Sequence, residues 1–399
     1  HTRSFHVTGV QTCALPILTE MAQKRLPKGL FEFMHRGNDD EIAVRDNRIA
    51  LDSIKLKPRV LRDVSKRSQE ITLFGKKQKM PIVIAPTGSV GLAWYEGEVA
   101  LARAAAAAGV PYTMASSSMT AIEKVAAAAP GGTLWFQFYM WPDRSLSHQL
   151  VARAKDAGAE ALVFTVDTVV APGREYNLRN GFTIPFKFTR RNVLDVMMHP
   201  RWLFGVLVRY LLTTGAPRYM NFPPHMQTRV GALPMGRSVQ SNASINWDDV
   251  RELRKLWPRK LIVKGIQHAQ DAVMAADCGA DGVVISNHGG RVLDSTMAPI
   301  LALPEILEAV NGRATVIVDS GFRRGSDIVK ALAIGADAVM LGRGPLHGTA
   351  VAGEAGGLRA LNLYREEIHR VMALIGVNSI DELSREHVVM PAMNGPVPY

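Results

Sequence analysis

Residues 261–291 read LIVKGIQHAQDAVMAADCGADGVVISNHGGR. The stretch opens on an apolar run, Leu261–Lys264, crosses a segment of helical period, His268–Cys278, and returns to a second apolar run, Gly282–Ile285. A run, a helix and a run in close succession form a βαβ unit with parallel strands, because an antiparallel return needs only a short turn. The second run ends in Ser286-Asn-His-Gly-Gly-Arg291, where polar and glycine residues replace apolar ones.

The same alternation continues in both directions. Further runs stand at Ile82–Ala85, Pro111–Met114, Leu134–Phe138, Ala161–Thr165, Thr315–Val318 and Ala338–Leu341. Helical segments stand at Gly97–Ala108, Ser145–Ala157, Asp248–Leu256, Leu303–Val310 and Arg324–Ile334. Eight runs alternating with helices predict an α/β protein, a (β/α)8 TIM barrel. A doubly wound open sheet is the alternative topology.

The chain has 399 residues, 47% hydrophobic and 21% charged, which excludes disordered and collagen-like classes. Its two cysteines, Cys13 and Cys278, can build neither a disulfide scaffold nor a zinc ribbon. No metal site is expected, and a reducing, cytoplasmic location is the default. Forty-seven Lys and Arg against 36 Asp and Glu leave +11, which attracts nucleic acid, an acidic membrane surface or a small anion.

Residues 1–17 read as a non-native tail, since Val7–Ile17 resembles a translated sequencing adapter; a frayed terminus is the alternative. Residues 18–80 form a helical extension, 81–375 the barrel and 376–399 a C-terminal tail. The fourth and fifth runs are separated by a long insertion. Within 183–229, Lys187, Arg190, Arg191, Arg201, Arg209, Arg218 and Arg229 face one acid, Asp195, for a local +6. Phe186, Phe188, Trp202, Phe204, Tyr210, Tyr219 and Phe222 share the segment, and its apolar run Leu203–Leu212 is too short and too charged to span a bilayer. Basic, aromatic and aliphatic residues together suit a membrane interface. A lid packed on the barrel is the second reading and nucleic-acid binding a distant third.

Barrel sites are built where strands end. There the chain places Pro86-Thr87-Gly88, Ala115-Ser116, Gln137, Tyr139, Thr165, Asp167, Lys264, the loop Ser286–Arg291, Asp319 and Gly342-Arg343. The last two loops, Asp319-Ser-Gly321-Phe-Arg323 and Gly342-Arg343-Gly344, combine glycines with arginines and suit a phosphorylated ligand. His288 and Arg291 put a base and a carboxylate clamp on one loop, Asp167 is placed to pair with the imidazole, and Arg174 offers a second guanidinium.

From about Leu26 to Leu374 the sequence resembles the FMN-dependent L-2-hydroxyacid dehydrogenase and oxidase family, which includes L-lactate dehydrogenase, glycolate oxidase and mandelate dehydrogenase. The resemblance rests on Pro86-Thr87-Gly88, Trp135-Phe-Gln-Phe-Tyr139, Thr165-Val-Asp167, Lys264-Gly265, Ser286–Arg291 and Gly342-Arg343, in order and spacing. It implies that the phosphorylated ligand is FMN, with its phosphate on Arg323, Gly342 and Arg343. Pro86, Thr87, Gly88, Ser116, Gln137, Thr165, Lys264, Ser286, Asp319 and Gly321 would surround the rest. Arg174, Arg291, Tyr139 and Phe33 would receive a small 2-hydroxy acid, and His288 would take its proton with Asp167 in support. Removal of the hydroxyl proton and removal of the α-proton both remain open.

Three positions depart from the family pattern: Phe33 stands where tyrosine is usual, Ala115 where Ser or Thr is usual, and Val292-Leu-Asp294 where Gln-Leu-Asp usually follows the arginine. Gly88 stands where the oxidases more often carry alanine, and the long basic insert is a feature of membrane-associated, quinone-linked members. Both favour a dehydrogenase passing electrons to a membrane quinone, attached through 183–229 to the inner face of the cell membrane, over an oxidase using O2. A flavin-dependent isomerase on the same barrel is weaker, having no use for His288 and Arg291. The resemblance further implies a homotetramer and no nucleic-acid partner.

Overall fold

The computed structural model describes residues 14–181, 189–227 and 242–391. Eight parallel strands close into a barrel in sequential order: β1 Ile82–Ile84, β2 Tyr112–Ala115, β3 Leu134–Phe138, β4 Ala161–Thr165, β5 Lys260–Ile266, β6 Gly282–Ile285, β7 Thr315–Val318 and β8 Ala338–Leu341. Pairing of Val339 with Ile82 and of Leu341 with Ile84 joins the last strand to the first. The open sheet is thereby excluded. Strand runs such as Val283-Val-Ile285 and Ile317-Val318 are buried on both faces, as expected when helices coat the outside of a parallel barrel. Their β-branched side chains favour the extended conformation.

The N-terminal extension is helical through Ser53, as α1 Ala14–Arg25, α2 Lys28–His35 and α3 Ile42–Ser53. Residues 55–80 instead form short strands. Lys55–Leu56 pairs with Val388–Val389 of the C-terminal segment, and Ile71–Leu73 with Lys76–Gln78. Phe74, at the turn of the latter hairpin, packs edge-on against Trp135, with ring centroids 5.7 Å apart, at the end of the barrel opposite the site. A final helix, Arg343–Ile375, begins directly after β8 and kinks at Ala352-Gly353.

The insertion after β4 has two faces, and they differ from the expectation that its aromatics accompany its charges at the surface. Trp202, Tyr210 and Phe222 are buried, and Tyr219 packs on the core. The Trp202 indole donates to the Leu92 carbonyl (2.6 Å), and the Tyr210 hydroxyl accepts from the Glu96 amide (3.0 Å). Of the five described aromatics only Phe204 is exposed; Phe186 and Phe188 lie outside the described residues. The outward face is aliphatic: Leu194, Met197, Met198, Leu211 and Leu212 are exposed beside Arg190, Arg191, Arg201 and Arg209. Turned inward, Trp202 and Tyr210 bury their rings while the indole N–H and phenol oxygen keep hydrogen-bond partners. Among the described residues no helix is long and apolar enough to cross a membrane.

Candidate active site

The C-terminal ends of the strands bring the sequence-identified residues to one mouth. Pro86, Thr87 and Gly88 follow β1, Ser116 follows β2, Gln137 lies in β3 with Tyr139 just beyond, and Thr165 closes β4 before Asp167. Lys264 lies in β5, Ser286, His288 and Arg291 follow β6, Asp319, Gly321 and Arg323 follow β7, and Gly342 and Arg343 follow β8. Phe33 arrives from α2 and Arg174 from the loop after β4.

Asp167 and His288 meet there, with Oδ1 2.9 Å from Nδ1. The register of β5 against β6 slips between Lys264 and Ile266, around Gly265 at φ +109°. A Cβ on Gly265 would stand 2.7 Å from the Asp167 Cβ, so glycine is what lets the carboxylate approach. Burial pushes the Asp167 carboxyl up, but the His288 imidazole and Lys264 outweigh it and hold the group at about 2. It is a carboxylate at every working pH.

His288 has φ +58° and is followed by Gly289 at +69° and Gly290 at +71°. A left-handed histidine stores backbone strain and persists only where its neighbours over-determine it. Ser286 Oγ accepts from the His288 amide (3.0 Å), Ser320 Oγ from Gly289 (3.0 Å) and Asn287 Oδ1 from Gly290 (3.1 Å). With Nδ1 committed to Asp167, Nε2 is the ring nitrogen left to act on a substrate.

Three arginines gather around the C-terminus of α2. Arg291 donates to the carbonyls of Arg36 (2.7 Å) and Phe33 (2.8 Å), and Arg343 to those of His35 (2.9 Å) and Gly289 (2.9 Å). Helix carbonyls with no partner of their own attract cations, and the macrodipole adds to the effect. The guanidiniums of Arg174 and Arg291 each lie 5.7 Å from the Phe33 ring centre. Phe33 thus serves as a cation–π platform for the pair. Burial first, and the neighbouring Arg174 charge second, depress Arg291 well below the ordinary guanidinium value. Two confined positive charges make the spot suited to an anion.

Lys264 is buried, 3.2 Å from Asp319 Oδ2, and donates to Ser286 Oγ (2.8 Å). Burial lowers its ammonium, but Asp319, Asp167 and Tyr139 together raise it, so the charge stays. At the same strand ends Thr87 Oγ1, Gln137 Nε2 and Thr165 Oγ1 are buried without a hydrogen-bond partner among the described residues. Three polar atoms so placed fit a heteroatom-rich ring and its polar chain. In the loop after β7, Asp327 accepts from the amides of Arg323 and Arg324 (both 2.9 Å) and Glu367 from Gly325 (2.7 Å). That loop therefore offers the exposed Arg323 side chain, while Gly342-Arg343 offers a helix N-terminus and a guanidinium.

The family model for FMN-dependent dehydrogenases matches residues 22–390. The chain belongs to that family. The FMN-dependent dehydrogenases include two relatives of similar length. (S)-mandelate dehydrogenase of Pseudomonas putida is 42% identical over 369 residues, 92% of either chain. L-lactate dehydrogenase of Vibrio cholerae is 40% identical over 370 residues, 92% of this chain and 96% of that one. The crystal structure of monotopic membrane protein (S)-mandelate dehydrogenase superposes with a TM-score of 0.89 at 40% identity, covering 96% of this chain and all (100%) of the other. A mandelate oxidase structure with (S)-2-phenylpropionate superposes at 0.77 and 35% identity, covering 94% and 97%. The enzyme is thus an FMN-dependent 2-hydroxyacid dehydrogenase or oxidase, and the partnerless Thr87, Gln137 and Thr165 atoms fit that cofactor.

Sequence reading missed two supports of this FMN-dependent dehydrogenase site. Asn47 of α3 exchanges hydrogen bonds with Asn287, and Asp294 accepts from the amides of Asp40, Ile42 and Ala43 and so caps α3. Each partner lies at least 240 residues away, beyond any local signal. The bulge at Gly265 also went unread, although a glycine next to a strand run is a local signal that could have found it.

Proposed function

We propose that the chain oxidises an L-2-hydroxy acid, lactate- or mandelate-like, to the 2-oxo acid and passes the electrons to a membrane quinone. The observation that carries the reading is the Asp167–His288 pair set beside two guanidiniums on the Phe33 ring. The substrate must lose two electrons and two protons. FMN, when bound, would accept the two electrons together with one of the protons, leaving the other for a base of the chain. Arg174 and Arg291 bind the carboxylate and Tyr139 orients the substrate, fixing the Cα–OH unit before His288. His288 takes a proton of that unit at Nε2, and Asp167 stabilises the imidazolium that results. Lys264 keeps a buried positive charge among the residues assigned to the cofactor ring, a counter-charge for electron-rich states. Pro86, Gly88, Ser116, Ser286, Asp319 and Gly321 wall the cofactor, and Arg323, Gly342 and Arg343 hold its phosphate.

Attachment to the inner face of the membrane is supported by the aliphatic outer face of the insertion and its adjacent arginines. Apolar insertion and headgroup attraction act together there. A homotetramer is proposed by analogy with the family. The test is turnover of the FMN-loaded protein with L-lactate and (S)-mandelate, against a quinone analogue and against O2. Faster reaction with the quinone supports the dehydrogenase reading, and faster reaction with O2 replaces it with an oxidase.

A further inference from the structure

The helix α3 is wedged between the loop that carries His288 and the loop that follows β7. Asn47 Nδ2 donates to Asn287 Oδ1 (3.0 Å), and Asn287 Nδ2 donates to Asn47 Oδ1 (2.8 Å), both side chains being buried. The same Asn287 Oδ1 accepts from the Gly290 amide, so the pair clamps both sides of the left-handed His288. On the other side, a Cβ on Gly321 would stand 2.8 Å from the Asn47 Cβ and 3.0 Å from its carbonyl oxygen. The next residue, Arg48, donates to the Gly321 carbonyl (3.0 Å) and pairs with Asp327 (2.7 Å). The helix cannot shift toward either loop without breaking one of these contacts.

From this we infer that Asn47 is a positioning residue for the catalytic base, acting on His288 through Asn287; the inference rests on His288 being the base. A reciprocal amide pair is a two-point contact that specifies orientation, and its buried members have no water to fall back on. Removing the Asn47 amide frees the Asn287 side chain, and removing that of Asn287 deletes its bond to Gly290 as well; either loosens the constraint that keeps His288 at positive φ. Arg291 keeps its own bonds to the α2 carbonyls and Arg174 its place on the Phe33 ring of α2 when the asparagine pair is lost, so substrate binding is left in place.

The test compares Asn47→Ala, Asn287→Ala and the double variant in the FMN-loaded enzyme. Asn47→Asp, which keeps shape and acceptor but lacks the donor, runs beside them should truncation prevent folding. The exposed neighbour Asp46→Ala is the control and retains wild-type turnover. Each single change lowers kcat about 10- to 100-fold, the scale of a misplacement of about 1 Å. KM stays within about twofold, and so does oxalate binding read from flavin absorbance, since Arg174 and Arg291 are intact. The double variant is no slower than the slower single one, because both remove the same contact. Wild-type kcat in a folded, FMN-loaded Asn47 variant, additive losses, or a KM and oxalate shift equal to the kcat loss would each overturn the inference. His288→Ala is measured alongside: if it turns over normally, the base assignment fails; if it is inactive while the Asn47 variants are fully active, only the role of Asn47 fails.

Discussion

Asp167 Oδ1 stands 2.9 Å from His288 Nδ1, so a carboxylate from the end of β4 fixes the ring nitrogen with which a histidine after β6 can act. Replacing His288 by Ala leaves the FMN contacts untouched and removes the proton acceptor. Turnover should fall on the order of 100- to 10,000-fold with FMN stoichiometry unchanged. An unchanged rate means that another group takes the proton.

Asp167→Asn tests the partner through stability as well as rate. The Asp167 carboxyl is held at about 2, below its value near 4 in an unfolded chain. A depressed carboxyl contributes stability that is complete above pH of about 4 and is lost as the pH falls toward about 2. The contribution is roughly 2 kcal/mol. The Tm gap between wild type and Asp167→Asn should therefore be widest near neutrality and close below pH of about 4. A gap constant across that range would show that the charge is not what the fold uses.

Phe33→Tyr keeps the ring beneath Arg174 and Arg291 and adds a hydroxyl where relatives of this family usually have one. One added hydrogen bond to the substrate is worth about 1 kcal/mol, so KM should fall about fivefold with kcat little changed. Phe33→Leu removes the platform instead and should raise KM, since a cation–π contact contributes about 0.5–2 kcal/mol. Unchanged KM in both variants would place Phe33 outside the binding pocket.

The insertion is best tested on its outer face alone, because Trp202 and Tyr210 hold its inner face to the residues that follow β1. Leu194→Glu, Met197→Glu and Leu212→Glu together should abolish co-sedimentation with anionic liposomes while turnover in solution persists. Each basic residue near an anionic surface contributes about 1 kcal/mol, so salt should weaken but not abolish binding of the unmodified protein. Equal pelleting of both forms would refute the assignment.

Sequence pattern reveals contacts between neighbours and misses those that folding creates. The strand runs were legible because β-branched residues buried on both faces leave an uninterrupted apolar mark, and His288 stood out because its loop breaks that mark with glycine and arginine. The Asn47–Asn287 pair left no such trace, since either asparagine alone reads as a solvated or capping residue. The insertion was half legible: its charge and apolarity were plain, but which side chains turn inward depends on Leu92 and Glu96 lying beneath it. Phe33 likewise showed a missing hydroxyl, while its place under two guanidiniums needed the fold.

The most direct test of the whole account is anaerobic titration of the FMN-loaded protein with L-lactate and with (S)-mandelate, following the visible flavin absorbance. Loss of that absorbance with at least one of the two acids, together with formation of the matching 2-oxo acid in equal amount, is the predicted result. Full retention of the absorbance with both acids, in protein carrying one FMN per chain, would contradict it.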